Sequence, residues 1–137
     1  MNIAFADTFY FIALLSRRDR AHAEAIEFDA SYLGRIVTSD WVLLELADAF
    51  SAVDNRQRFA TLFDFAAISE GYEVVRASDA DFDAGLLLYR SRSDKEWSLT
   101  DCISFTIMHR LGLHDAITGD QHFAQAGFNI LLPRIVP

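Results

Sequence analysis

The sequence predicts an α/β domain built on a mainly parallel central sheet of four to five strands. Three observations lead there. Short apolar runs alternate with longer helical stretches along the whole chain, which is the pattern of βα units. The strand candidates are continuously apolar or β-branched, as strands covered on both faces are. The 137 residues are 52% hydrophobic, with mean hydropathy +0.14. That is enough for a real core in a single domain over residues 1–137.

The elements follow in order. Ile3-Ala4-Phe5-Ala6 is a buried strand that ends at Asp7. Thr8 to Leu15 is an apolar helix, and Ser16-Arg17-Arg18-Asp19-Arg20 is a solvated basic turn. Ala21 to Ala30 is a second helix. Arg35-Ile36-Val37-Thr38 is a strand, after which Ser39 or Asp40 caps a helix from about Trp41 to Val53. Asp54-Asn55 breaks that helix, and Arg56 to Ser69 forms another, with Gly71 as its C-terminal cap. Tyr72 to Val75 is a strand. Ser78 or Asp79 caps a helix to about Arg90, and a polar loop runs from Ser91 to Trp97. Thr100 to Leu111 is a helix closed by Gly112. Ala116-Ile117-Thr118 is a strand, Gln121 to Ala126 a short helix closed by Gly127, and Asn129 to Leu132 a last strand. No repeat or low-complexity linker interrupts this order, and the two prolines, Pro133 and Pro137, stand at the end.

Composition narrows the function. The formal charge of −8 excludes a general electrostatic grip on nucleic acid. Eleven of the twelve basic residues are Arg, which favours fork-like recognition of phosphate or carboxylate. No apolar run is long enough to span a bilayer, and the N-terminus lacks the features of a signal peptide. One cysteine, Cys102, cannot form an internal disulfide, which suits the reducing cytoplasm. Cys102 has no obvious activating base beside it.

Four carboxylates carry the functional signal. Asp7 and Asp120 each follow a strand where a helix begins, and ligands of parallel sheets bind beyond the carboxyl ends of strands. Either is also a good helix N-cap. Glu45 lies within Trp41-Val42-Leu43-Leu44-Glu45-Leu46-Ala47, sharing a helix face with Trp41, Ala49 and Ala52. A carboxylate on such a face needs a partner, or else it reaches solvent. Asp101 opens a face completed by Ser104, Phe105 and Met108; a first-turn acid capped by Thr100 is the plainer reading. Four acids gathered in one fold repel one another, and a hard divalent cation removes that penalty. Two such ions can activate an attacking water and stabilise a leaving oxygen in phosphodiester cleavage. No soft-metal set competes, because Cys102 stands alone and His22, His109, His114 and His122 lack zinc-site spacing.

These motifs resemble those of PIN-domain proteins, most closely the VapC-type toxins of bacterial toxin–antitoxin pairs. The matching residues are Ala6-Asp7-Thr8, Leu43-Leu44-Glu45-Leu46, Thr100-Asp101-Cys102-Ile103-Ser104-Phe105 and Thr118-Gly119-Asp120-Gln121-His122-Phe123, which together span essentially the whole chain. The resemblance implies a three-layer α/β/α fold with acidic residues clustered at one end of the sheet. It implies a Mg²⁺- or Mn²⁺-dependent endoribonuclease acting on single-stranded RNA, a cognate antitoxin and a homodimer. Carried over by position, Asp7 and Asp101 are the leading metal ligands, with Glu45 and Asp120 completing the catalytic acids. Thr8, Thr100 and Thr118 resemble the hydroxyls that orient those carboxylates.

Arg17, Arg18 and Arg20 are candidates for RNA contact, against the plainer reading of an exposed solubilising turn. His122 is expected to pack beside Phe123 or to touch a phosphate. Part of the Phe59-to-Phe65 group is a candidate dimer face. Two other functions compete. Phosphoryl transfer through an aspartyl nucleophile would want a second Asp two residues after Asp7, where Phe9 stands. A PIN-like nuclease outside any toxin pair, or a scaffold that binds RNA or protein, is the other; loss of a core acid would favour the scaffold, and none is missing.

Overall fold

A computed structural model describes residues 2–132. Its elements are β1 (Ile3–Ala6), α1 (Thr8–Leu15), α2 (His22–Ser31), β2 (Arg35–Ser39), α3 (Asp40–Ala49), α4 (Arg56–Ile68), β3 (Tyr72–Val75), α5 (Asp79–Ser91), α6 (Leu99–Leu111), β4 (Asp115–Ile117), α7 (Gln121–Gln125) and β5 (Asn129–Ile130). The strands form one five-stranded sheet in the order β3-β2-β1-β4-β5, and every pairing is parallel. Helices cover both faces, so the architecture is the expected three-layer α/β/α fold.

Strand order places the site. The chain moves outward from β1 to β2 and β3 on one side, then returns to put β4 against the other edge of β1. The order reverses between β1 and β4, and a crevice opens beyond their carboxyl ends at such a switch point. Ala6 pairs with Ile117 there, so Asp7 and the Thr118–Asp120 turn emerge side by side. Ala4, Phe5 and Ala6 are fully buried, as a central strand between two helical layers must be. Thr38 on β2 donates its hydroxyl to the Ala6 carbonyl at 3.0 Å, fixing the last residue before Asp7.

The core beneath this crevice is aromatic. Phe105 of α6 meets Trp97, Phe123 and Phe128 at ring-centroid distances of 5.1, 4.9 and 5.7 Å. Such pairs add about 0.5–1.5 kcal/mol each beyond burial. The indole of Trp97 also donates to the Gln125 side chain at 3.1 Å, tying the approach to α6 to the end of α7. Helix α6 ends in a Schellman turn: Gly112 has φ 70°, and the N–H of Leu113 reaches the Met108 carbonyl at 2.8 Å.

Several boundaries differ from the sequence expectations. Helix α3 stops at Ala49 rather than Val53. The Phe50 N–H is shared between the Leu46 and Ala47 carbonyls, tightening the last turn as the buried Phe50 side chain turns inward. Gly71 does not cap α4. That helix ends at Ser69 in extended backbone, and the Ser69 hydroxyl accepts from the Gly71 N–H in a serine turn. Helix α6 begins at Leu99 and its cap is Ser98, not Thr100. Strand β5 is only Asn129–Ile130, although the Leu131 N–H still reaches the Ala116 carbonyl at 2.9 Å. Pro133 and Pro137 lie outside the described residues. Among the described residues no helix is long and apolar enough to cross a membrane.

Candidate active site

Asp7, Glu45, Asp101 and Asp120 line one cleft of about 350 Å³ beyond β1 and β4. Each arrives by a different local device. Asp7 occupies the N-cap position of α1, yet its side chain makes no capping hydrogen bond. Instead its Oδ2 accepts from the Thr118 hydroxyl at 3.2 Å. The Thr118 oxygen in turn accepts the Asp120 N–H at 3.0 Å, so one buried hydroxyl pins both strand ends.

Asp120 is the N-cap of α7 and Asp101 the third residue of α6, and both line the cleft as well. Asp101 forms a capping box with Ser98: its N–H donates to the Ser98 hydroxyl at 3.0 Å, and its Oδ2 accepts the Ser98 N–H at 3.2 Å. Asp120 Oδ1 accepts the His122 N–H at 2.9 Å at the start of α7. Capping fixes the rotamer of each carboxylate, and the remaining lone pairs stay open to the cleft. The cap reading holds for Asp120, Asp101 is a first-turn acid capped by Ser98 rather than Thr100, and both carboxylates also line the cleft.

The electrostatics single out Asp7. It is 4% exposed and its pKa is raised to about 7, first by burial and then by the charge of Asp101. Asp120 and Glu45 push the same way, while the Thr8 N–H holds it down. The Asp101 pKa is also raised, chiefly by burial, against hydrogen bonds from Ser98 and His122. Glu45 is exposed on α3, so of the two environments open to it, the carboxylate takes the solvated one, on the rim.

Other predicted residues divide. Thr118 orients two acids as described. Thr8 lines the cleft with a buried hydroxyl that has no hydrogen-bond partner. Thr100 has no hydrogen bond to a site carboxylate among the described residues; Ser98 does the orienting expected of it, because α6 starts one residue earlier. Arg17, Arg18 and Arg20 are exposed beyond the far end of α1, and none lines the cleft. An eight-residue helix is about 12 Å long, and that length separates them from Asp7.

Glu96 was not legible as a site member, and for His122 the sequence left packing beside Phe123 and a phosphate contact both open. Glu96 lines the cleft as a fifth carboxylate, two positions before the Ser98 cap. His122 turns its Nδ1 to Asp101 Oδ2 at 3.1 Å and to Asp120 Oδ1 at 3.5 Å, rather than merely packing beside Phe123. Ligand atoms of Asp101, Asp120 and His122 lie within 4.8 Å of one another. Zinc-site spacing could not reveal this set, because Asp101 and His122 are joined by the fold and not by a local motif. Carboxylate oxygens dominate the donors, Asp7 is destabilised as an anion, and no Lys or Arg lines the cleft among the described residues. The residues fit a hard divalent cation such as Mg²⁺ or Mn²⁺.

The PIN domain family model matches residues 4–129. This chain belongs to the PIN-domain family. It is 29% identical over 126 residues to the 23S rRNA-specific endonuclease VapC20 of Mycobacterium tuberculosis, covering 90% of this chain and 94% of that one. The crystal structure of that VapC20, a sarcin–ricin-loop-cleaving toxin, superposes with TM-score 0.86 at 23% identity over 96% of this chain and all of the other. FitAcB from Neisseria gonorrhoeae superposes with TM-score 0.64 at 16% identity, covering 97% and 98% of the two chains. VapBC2 from Rickettsia felis, bound to a promoter DNA fragment, does so with TM-score 0.65 at 15% identity, covering 95% and 97%.

Proposed function

We propose that this PIN-domain protein is a divalent-metal-dependent endoribonuclease that cleaves single-stranded RNA, and that it is the toxin of a toxin–antitoxin pair. One observation carries the proposal: a buried Asp7 with its pKa near 7 shares a cleft with Asp101, Asp120 and Glu45, and among the described residues no Lys or Arg lines that cleft to balance them. The similarity to the 23S rRNA-specific endonuclease VapC20 of M. tuberculosis supports the same reading.

Asp7, Asp101 and Asp120 would hold the cation, with Glu45 acting from the rim and His122 as a nitrogen donor beside Asp101. When bound, Mg²⁺ or Mn²⁺ would supply charge neutralisation at a phosphodiester and a lowered pKa for attacking water. The chain's own work is positional. Thr118 and the Ser98 capping box hold Asp7 and Asp101 in place before any ion binds. The acidic cleft also suits inhibition by a cognate antitoxin. An Arg from such a partner would pair with two of these carboxylates and exclude the ion.

The purified protein is expected to cut single-stranded RNA with Mg²⁺ or Mn²⁺ and to be inactive in EDTA. Full activity in EDTA, or in Asp101→Asn, would remove the metal mechanism. Expression without any antitoxin should arrest growth with RNA cleaved; an unharmed culture would leave a PIN nuclease but not a toxin.

A further inference from the structure

We propose that Phe9 is a stacking platform for one unpaired nucleobase of the RNA next to the cleaved bond, an inference that rests on the ribonuclease reading above. Phe9 stands two residues after Asp7, in the first turn of α1, and its ring is half-buried in the wall of the acidic cleft. Ile12 and Ala49 continue that wall, so the cleft has an apolar side facing its carboxylates.

The ring is seated by the loop that carries Asp120. A Cβ on Gly119 would come within 2.7 Å of Phe9 Cζ and 2.9 Å of Cε1. Only glycine leaves the ring room to lie against the backbone between Thr118 and Asp120. The aromatic surface is thus fixed relative to the carboxylates by the same short turn, rather than hanging free at the rim.

The grip that the cleft lacks gives this ring its role. Among the described residues no Lys or Arg lines the cleft, so cations of the protein cannot hold the RNA backbone there. Metal bound by the acids would hold the phosphate, but one phosphate contact does not orient a flexible strand. Stacking on an aromatic face does, and it works for any base because every base has a π-face. It also demands an unpaired base, since both faces of a base within a duplex are already covered by its neighbours. Phe9 therefore supplies both the orientation and the preference for single strands.

The test pairs Phe9→Leu with short oligonucleotides that carry an abasic nucleotide on either side of the cleaved bond, with kcat/KM measured in Mg²⁺ or Mn²⁺. Removing a stacked base or its platform is expected to lower kcat/KM by roughly tenfold or more. The parent protein should lose this factor on the abasic substrate, Phe9→Leu on the normal one, and the combination should lose no more than either alone. Phe9→Trp should retain activity, and Gly119→Ala, which displaces the ring without deleting it, should behave like Phe9→Leu. An equal further loss by Phe9→Leu on the abasic substrate would show that the ring serves packing alone and overturn the proposal. Undiminished cleavage of normal RNA by Phe9→Leu would do the same. If the parent protein cleaves no RNA with either ion, the ribonuclease reading fails and this inference fails with it.

Discussion

Helix α1 has a different chemistry at each of its ends. At its N-terminus lies the acidic cleft, with five carboxylates and a buried, proton-hungry Asp7. At its C-terminus lies a larger groove of about 820 Å³ between α1, α2 and α4. Leu14, Leu15, Ile26 and Phe65 line it together with Arg17, His22 and Arg58. Neither surface is described by the net charge of −8. The contrast teaches that the acids are concentrated where their charges raise the pKa of Asp7, and that Arg17, the basic residue nearest to Asp7 in sequence, belongs to the other surface. Arg17 is ten residues from Asp7 in the chain, and a helix length away in space.

The largest expected effect sets the two ends apart directly. Asp7→Asn keeps the size of the side chain and removes its charge, so the fold should survive while the proposed cation site loses a ligand. Ribonuclease activity should fall by more than the roughly 10–100-fold that loss of an outer partner of a metal ligand costs. Arg58 donates to the Leu15 carbonyl at 3.2 Å on the groove side. Arg58→Gln should leave cleavage within about twofold, as for a surface change away from the site. Equal losses in the two variants would mean that the groove and the cleft act as one site.

Stability should separate them next. The Asp7 carboxyl titrates near its ordinary value of 3.8 when unfolded and near 7 when folded. The folded state therefore binds more protons between those values. The contribution of Asp7 is most favourable below pH 3.8, declines as pH rises, and is fully lost above about 7. Asp101 is shifted in the same direction. Metal-free protein should lose on the order of a few kcal/mol across this window through Asp7. Melting curves in EDTA from pH 5 to pH 8 should show the decline, and Asp7→Asn should flatten it. Millimolar Mg²⁺ should raise the melting temperature of the parent protein at pH 8 by mass action, and raise it less in Asp7→Asn. A pH-independent difference between parent and variant would show that Asp7 is not strained.

Much of this was legible in the sequence, for reasons that can be named. The apolar run Ile3-Ala4-Phe5-Ala6 and the Gly112 turn are local signals; the structure makes the run a strand buried from Ala4 to Ala6, with Ile3 exposed at its start, and closes α6 at Gly112. The four acids were visible because strand ends and helix starts bracket three of them. Glu45 was located on its helix with a paired and a solvent-reaching environment both open, because periodicity gives a face and not what covers it; the face is open to the cleft. Thr100 was taken as the cap because Thr and Ser98 are both good caps, and only hydrogen-bond geometry chooses between them. His122 and Glu96 reach the cleft through tertiary placement, to which spacing rules are blind. Arg17, Arg18 and Arg20 fell on the other side because a helix carries the chain away from where it began.

The smallest effect lies inside the cleft itself, where Glu45 and Asp7 line one surface but differ in environment. Glu45 is exposed, so water already solvates its charge and its removal relieves little strain. Its field is the last-ranked of the influences that raise the Asp7 pKa. Glu45→Gln changes neither side-chain size nor packing and should shift metal-free stability by no more than about 0.5 kcal/mol. From the rim it would meet the cation through water rather than directly, so activity should fall by about tenfold, in the range seen when outer partners of a metal site are removed. The pair of variants then reads out burial: Asp7→Asn moves both stability and activity, and Glu45→Gln moves activity alone. If Glu45→Gln instead stabilises the metal-free protein as much as Asp7→Asn does, the repulsion is spread evenly over the four acids. The cleft would then have no privileged carboxylate at the carboxyl end of β1.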